Sequence, residues 1–154
     1  MKTFKRSQFL PVSLEEAWSF FSSPHNLSLI TPKELGLIIK GNYNSKTVSK
    51  NDIIDYTVRP LLGIPMHWRT EITDVQAPYY FVDKQIKGPY KLWEHKHTFE
   101  EFEGGVMMYD EVNYKIPLQP ISKFFTGFIQ KKLNHIFDYR TLRLKEIFSD
   151  GNTI

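Results

Sequence analysis

The chain has 154 residues, with 20 Lys and Arg against 17 Asp and Glu, and it contains no cysteine. This length suits one domain, residues 1–154, that buries roughly 68–70% of the surface of its unfolded chain. Without cysteine, disulfides and thiolate sites are excluded. The small and scattered excess of positive charge argues against binding to nucleic acid.

The N-terminal segment has no apolar stretch of signal-peptide length. No run reaches the ~18 apolar residues that a membrane-spanning helix needs. We therefore expect a cytoplasmic protein without stable membrane insertion. Its aromatic content of 15%, with 12 Phe and 8 Tyr, suits a large core or a ligand cavity.

The first predicted elements are one strand and two short helices. Residues 2–10 alternate between polar and apolar, which predicts a strand. Ser13 with Glu16 three residues later forms a capping box, because each side chain can satisfy a free backbone N–H of the other residue. A second helix start follows at Ser23, which precedes a proline.

From about residue 35 the hydrophobic period becomes two, which is the period of a strand. The predicted strands are 35–40, 52–59, 64–75, 79–87, 91–102 and 106–114. Gly88-Pro89 and Gly104-Gly105 mark turns between the later strands, and such short links favour an antiparallel sheet. The polar segment 41–51 is predicted to be a flexible loop that could cover a pocket opening.

A long amphipathic helix is predicted from Pro120 to about Phe148. Its apolar residues recur at helical spacing: Ile121, Phe124, Phe125, Phe128, Ile129, Leu133, Ile136, Phe137, Leu144 and Ile147. The phenylalanines near its start are expected in the core, the alternative being a mobile mouth or a membrane-touching patch. Such a helix must bury its apolar face, and the sheet is the only partner large enough. The prediction is an α+β fold with a curved antiparallel sheet of about seven strands.

Five segments carry a resemblance to a known superfamily. They are PVSLEEAWSFFSSPHNLSLITP (11–32), GIPMHWRTEI (63–72), YYFVDKQIKGPYKLWEHKHTF (79–99), MYDEVNYKIP (108–117) and IFDYR (136–140). In these segments the chain resembles the START-like helix-grip superfamily (SRPBCC, polyketide cyclase/dehydrase-like proteins). The resemblance implies a cavity between sheet and C-terminal helix that holds lipids, sterols, polyketides or other apolar ligands. Some members are cyclases, aromatases or hydrolases, but no catalytic motif is common to them all.

An unusual polar row lies on one predicted face of the sheet. Alternate side chains of a strand share a face, so His95 and His97 point the same way. The predicted turns bring Asp83 near His95. Asp110 joins the same face from the last strand. The polar cluster of this face is predicted to be Asp83, Gln85, His95, His97 and Asp110. The residues expected to contact a ligand are Trp68, Phe81, Asp83, Gln85, Trp93, His95, His97, Phe99, Met108, Asp110, Tyr114 and Phe128.

Buried charges are costly unless they are paired and hydrogen-bonded, so this cluster needs a reason. The first interpretation is a structural network that fixes the sheet register, with Arg140 of the long helix pairing an aspartate. The second is recognition of a ligand by a few polar groups in an apolar cavity. The third is acid–base catalysis by Asp83 and His95. The fourth, given least weight, is a metal site, because a His-x-His spacing often arises by chance.

The leading hypothesis is therefore the binding or carrying of an apolar or amphipathic small molecule, without a cofactor and without a metal. One alternative is a cyclase/aromatase- or hydrolase-type enzyme that uses Asp83 and His95. Another is an interaction domain whose core is filled by side chains. No sequence feature indicates an oligomeric state.

Overall fold

The computed structural model describes residues 1–43, 47–60, 63–118 and 122–149. The predicted helix start at Pro120 and Ile121 lies outside these residues. The strands are β1 (Lys2–Leu10), β2 (Ile38–Lys40), β3 (Ile53–Val58), β4 (Met66–Gln76), β5 (Tyr80–Lys87), β6 (Leu92–Phe102) and β7 (Gly105–Lys115). The α-helices are α1 (Leu14–Phe21) and α2 (Ser122–Ile147), and two 3-10 helices cover Pro24–Ile30 and Lys33–Leu35.

The strands form one sheet in the order β1-β7-β6-β5-β4-β3-β2, and every neighbouring pair is antiparallel. This confirms the predicted α+β class and the curved seven-stranded sheet. The predicted strand over 35–40 was too long at its start. Leu35 ends a 3-10 helix, and Gly36 follows with a φ of 53°, which is left-handed rather than extended.

Helix α1 begins as the capping box predicts. Ser13 has extended backbone angles, and its Oγ accepts a hydrogen bond from the backbone N–H of Glu16 at 3.1 Å. Its buried residues are Leu14, Ala17, Trp18 and Phe20. The second predicted short helix is present as a 3-10 helix, Pro24–Ile30.

The curvature of the sheet has a local cause in β4. The pairing of β4 with β5 shifts register between Arg69 and Thr70 and again between Ile72 and Asp74. Such irregularities bend the strand that carries them and increase its twist. The sheet can therefore wrap around the buried side of α2 instead of lying flat beneath it.

The predicted loop 41–51 is fixed in part. Val48 is buried, and its N–H donates to the carbonyl oxygen of Ser22 at 2.8 Å. The hydroxyl of Tyr43 donates to the carbonyl oxygen of Ile53 at 3.1 Å. Residues 44–46 lie outside the described residues. The described part of this segment is thus packed against the domain.

Helix α2 has a narrower buried stripe than its sequence predicts. Buried on the helix are Ser122, Ile129, Leu133, Phe137, Arg140, Leu144 and Ile147. The expectation that the first phenylalanines belong to the core is wrong, because Phe124, Phe125 and Phe128 are 88%, 53% and 43% exposed. An α-helix turns about 100° per residue, so Phe124 and Phe128 point well away from the direction of Ile129.

Phe125 and Phe128 instead help to line an open apolar groove near the start of α2. The groove has a volume of about 500 Å³ and is also bordered by Pro60, Tyr90 and Leu118. Within the described ranges, no helix is both long and apolar enough to cross a membrane.

Two leucines of α2, one buried and one exposed, allow a test of how the helix packs in the domain. Leu144 is fully buried, whereas Leu142 is 61% exposed two residues earlier. We expect Leu144→Ala to lower the free energy of unfolding by about 2–5 kcal/mol, because it removes buried methyl groups and leaves a cavity. The same change at Leu142 should stay within about 0.5 kcal/mol. Urea unfolding measures both, and equal effects would contradict the packing described.

Candidate functional site

Strand register brings four ionisable side chains together. Asp83 of β5 lies opposite His95 of β6, and His97 of β6 lies opposite Asp110 of β7. His95 and His97 are two residues apart and share a face. Both histidines and Asp110 are buried, and the Asp83 side chain is 18% exposed. The predicted proximity of Asp83 and His95 along the sheet is therefore present.

Their hydrogen bonds, however, run diagonally across the strands. His95 Nε2 lies 2.6 Å from Asp110 Oδ1, and His97 Nε2 lies 3.0 Å from Asp83 Oδ2. The two imidazole rings are close and tilted, with their centroids 3.7 Å apart and their planes 31° apart. In the expected acid–base pair, His95 Nδ1 lies 3.9 Å from Asp83 Oδ2, which is too far for a hydrogen bond. The hydrogen-bonded partner of Asp83 is thus His97.

Helix α2 supplies a cation to the same cluster. Arg140 is 6% exposed, and its Nη1 lies 3.5 Å from Asp110 Oδ1. Its guanidinium carbon also lies 4.6 Å above the ring centre of Phe137 on the same helix. The pairing of Arg140 with an aspartate, which the structural interpretation foresaw, is present. Asp110 therefore faces His95, His97 and Arg140.

This arrangement determines which groups carry charge. Burial would raise the pKa of Asp110, but its hydrogen bonds with the two histidines and the charge of Arg140 hold that pKa far below its ordinary value. Burial lowers the pKa of His95, and the neighbouring His97 lowers it further. Burial also opposes charge on His97, but hydrogen bonding to Asp110 and Asp83 outweighs it and raises the pKa. His97 is therefore the preferred carrier of a proton.

A cavity of about 180 Å³ lies between the sheet, α2 and the first 3-10 helix. Asp83, His95, His97 and Arg140 line it, and Asp110 does not. The apolar lining comes from Phe20, Phe21, Leu27, Ile30, Leu35, Leu37, Val48, Ile54, Val58, Trp68, Ile72, Phe81, Trp93, Leu133, Ile136 and Phe137. The polar cluster thus forms one patch in a largely apolar wall.

Four buried polar atoms of the cavity lining have no hydrogen-bond partner among the described residues: Oγ1 of Thr70, Nδ1 of His97, Nε1 of Trp68 and Nε of Arg140. The last two always carry a hydrogen, so they are donors. Leaving such a donor unpaired away from water costs about 1–3 kcal/mol. Unpaired buried groups of this kind need an explanation, and a ligand group is one.

The other residues expected at the site lie in several places. Phe81 and Trp93 line the cavity with Trp68. Phe99 and Met108 are buried in the larger core cluster, and Tyr114 in the smaller one, outside the cavity lining. Phe128 lies at the outer groove.

Gln85 has a different role from the one expected. Its Nε2 donates to the carbonyl oxygen of Tyr90 at 2.6 Å, and its Oε1 accepts from the N–H of Tyr90 at 3.2 Å. A Cβ on Gly88 would come within 2.4 Å of the Gln85 side chain. Gln85 therefore closes the β5–β6 turn instead of joining the polar cluster.

Some residues of the cavity lining are absent from the predicted ligand contacts. Tyr56 is one of them: its hydroxyl could serve a ligand, but a tyrosine on a sheet is usually a core residue. It lines the cavity and pairs with Trp68 across β3 and β4, and burial raises the pKa of its hydroxyl. The alternation of β3 could have revealed this position. Leu27 and Ile30 of the first 3-10 helix also line the cavity. No local pattern in the sequence shows that this segment covers the sheet.

Among the comparisons with known proteins, the one with solved structures bears on the fold. No family model matches the chain, and no curated protein matches it. Among solved structures, it is similar to protein Ms6760 of Mycobacterium smegmatis, with a TM-score of 0.69 and 13% identity over 94% of this chain and 89% of that one. It is also similar to the di-domain ARO/CYC StfQ of the steffimycin biosynthetic pathway, with a TM-score of 0.70 and 14% identity over 96% of this chain and 50% of StfQ.

A third similar structure is Ara h 8.0201, with a TM-score of 0.58 and 15% identity over 94% of this chain and 98% of that one. At these identities the likeness concerns the fold alone. The chain has the helix-grip architecture that its sequence predicts.

The raised pKa of His97 predicts a pH dependence of stability. Above about pH 6.5 the unfolded chain releases the proton that folded His97 retains, so the free energy of unfolding falls as the pH rises through the folded pKa. The lowered pKa of His95 makes the free energy of unfolding rise with pH only below about pH 6.5, where the unfolded chain still binds this proton. Above that pH, His95 does not oppose the decline caused by His97.

We expect His97→Gln to flatten this decline in urea unfolding from about pH 6.5 to about pH 9 in metal-free buffer. The exposed His135 offers a matched control, His135→Gln, which should keep the wild-type slope. Identical slopes for all three proteins would contradict the assignment of the proton to His97.

Proposed function

We propose that the chain binds a small, mainly apolar molecule that carries a hydrogen-bond acceptor, such as a carboxylate or carbonyl group. The observation that supports this proposal is the pair of unpartnered donors, Trp68 Nε1 and Arg140 Nε, in the lining of the cavity. An acceptor on a bound molecule would satisfy whichever of these donors it reaches. The rest of the molecule would contact the apolar wall.

The size of the cavity limits the ligand. Drug-sized ligands occupy pockets of about 300–1,000 Å³, whereas an engineered cavity of about 150 Å³ binds benzene. The cavity of about 180 Å³ therefore suits a molecule of about one ring. A lipid or sterol would need α2 or the first 3-10 helix to move away from the sheet.

The cationic donor is held in place before any ligand binds. Asp110 attracts the Arg140 guanidinium from behind, and Phe137 packs against one face of it. A charged donor with a fixed orientation loses little side-chain freedom on binding. Arg140 can therefore supply more binding energy than a mobile surface arginine.

The comparisons support small-molecule binding as a general role. StfQ is an ARO/CYC of a biosynthetic pathway and has this fold. In this chain the residues of the cavity would decide which molecule is bound.

Benzoate and toluene provide the test, because they share one ring and only benzoate has an acceptor. We expect Trp68→Phe to weaken benzoate binding about 10-fold, since it removes one N–H donor and keeps an aromatic ring. Toluene binding should change little. Isothermal titration calorimetry on the full chain measures both.

Two arginines of α2 give a matched pair of variants for the same titration. Arg140→Lys keeps a charge near Asp110 but removes the Nε donor, so benzoate should again bind about 10-fold more weakly. Arg143 instead contacts the carbonyl oxygen of Leu29 and Glu146, and Arg143→Lys should leave binding unchanged. Failure of both probes to bind, with no copurifying molecule in native mass spectrometry, would overturn the proposal.

A second candidate is acid–base catalysis of the cyclase or hydrolase type. It is favoured by the Asp83–His97 pair, whose atoms are 3.0 Å apart in the cavity lining. A histidine held by a carboxylate can pass a proton to or from a bound molecule. In this case His97→Gln would retain ligand binding but abolish turnover. The remaining alternative, a filled core, is disfavoured by the open space beneath α2.

A further inference from the structure

We propose that Asp83, His95 and His97 form a binding site for a divalent transition-metal ion, such as Fe²⁺ or Zn²⁺. Two imidazoles and one carboxylate are a donor set that these ions favour. The expectation from sequence was that no metal is bound. The structure adds three observations that the His-x-His spacing alone does not provide. None of them depends on the binding of an organic ligand.

The first observation is the convergence of the donors. One donor atom from each of the three side chains lies within 4.8 Å of the others. Asp83 Oδ2 lies 3.0 Å from His97 Nε2 and 3.9 Å from His95 Nδ1. Ligand atoms about 2.0–2.1 Å from a shared ion lie about 3.0–3.4 Å from each other. Side-chain shifts of less than about 1 Å would therefore form the site.

The second observation is a carboxylate behind both histidines. Asp110 Oδ1 lies 2.6 Å from His95 Nε2 and 3.3 Å from His97 Nδ1. On each ring, the nitrogen that faces Asp110 is the one that does not face Asp83. The hydrogen bond of His95 Nε2 to Asp110 leaves the lone pair of His95 on the nitrogen that faces Asp83. His97 Nδ1 lies near Asp110 without a hydrogen bond, so a small rotation of its ring would complete the same arrangement. Metal-binding histidines almost always have such an outer partner, which fixes the ring and its tautomer.

The third observation is the position of the site in the cavity wall. Asp83, His95 and His97 line the cavity, while Asp110 lies behind them and does not. An ion with three protein ligands would direct its remaining coordination positions into the cavity. Metal binding requires neutral imidazoles, so the ion would displace any proton held by His97. The charges of Asp83, Asp110 and Arg140 would then sum to −1, which favours a cation.

A surface cluster of the same residue types shows the contrast and supplies a control. His67 Nε2 lies 2.5 Å from Asp55, but Arg69 also donates two hydrogen bonds to that carboxylate, at 2.8 and 3.2 Å. The hydrogen bonds from the Arg69 guanidinium make the largest contribution to lowering the pKa of Asp55 to about 2. This cluster has one histidine and a resident cation, so it offers no second imidazole to a metal.

The experiment is a titration of the full chain, after chelator treatment, with Co²⁺ followed by visible absorption and with Zn²⁺ followed by calorimetry. We expect one ion per chain. Asp83→Asn, His95→Gln and His97→Gln should each weaken binding by more than about 100-fold, because each removes a ligand. Asp110→Asn should weaken it about 10–100-fold through the outer contact. His67→Gln should bind as the wild type does.

Folding and specificity are controlled in the same series. Asp83 is the most exposed of the ligands, so Asp83→Asn is the variant best able to keep its fold, which circular dichroism verifies. X-ray absorption of the wild-type Zn²⁺ complex should show two imidazole ligands. The absence of a one-to-one complex, or an equal loss in His67→Gln, would overturn the proposal.

The two proposals can fail separately. The metal titration contains no organic probe, and the benzoate titration is run with a chelator. Benzoate binding without metal binding would therefore reject the metal site alone. Metal binding without benzoate binding would reject only the proposed ligand.

Discussion

The buried carboxylate of Asp110 is the constraint on which the site depends. It is 2% exposed, and an isolated ion at such a place would be strongly destabilising. Two histidines of β6 and one arginine of α2 surround it, so one carboxylate links two strands to the long helix. One nitrogen of each imidazole faces Asp110, and the other nitrogen faces Asp83. The chemistry available at the cavity surface thus follows from a charge that is itself outside the lining.

Much of this site could be predicted from the sequence, because a strand has a fixed period and tight turns fix register. The alternation of β6, with turn signals at Gly88-Pro89 and Gly104-Gly105, was enough to place Asp83 beside His95. The diagonal hydrogen bonds were not predictable in this way. Register fixes which Cα atoms are opposite, but side-chain rotation and strand twist decide which polar atoms meet. Gln85 shows the same limit, since its side chain turned to the Tyr90 backbone.

Helix α2 shows that hydrophobic periodicity predicts the presence of a helix better than it predicts which helix residues are buried. The spacing from Ile129 to Ile147 identified the buried stripe, but the same pattern continued into phenylalanines that remain exposed. Hydrophobic spacing says which residues share a helix face, and it does not say where the partner surface ends. The size of the cavity is also set by tertiary structure. It depends on how closely α2 and a 3-10 helix approach the sheet, and neither distance is encoded in a local pattern.

The placement of the tryptophans has an optical consequence. Of the three indoles in the chain, Trp68 and Trp93 lie in the cavity wall, with ring centroids 5.3 Å apart and planes 86° apart. Trp18 packs in the larger core cluster instead, edge-on to Phe81 and Phe99. Two close indoles share their electronic excitation, so their near-ultraviolet circular dichroism and fluorescence are sensitive to small changes in mutual angle. The wild-type chain therefore carries an intrinsic spectroscopic reporter at the cavity, with no label added.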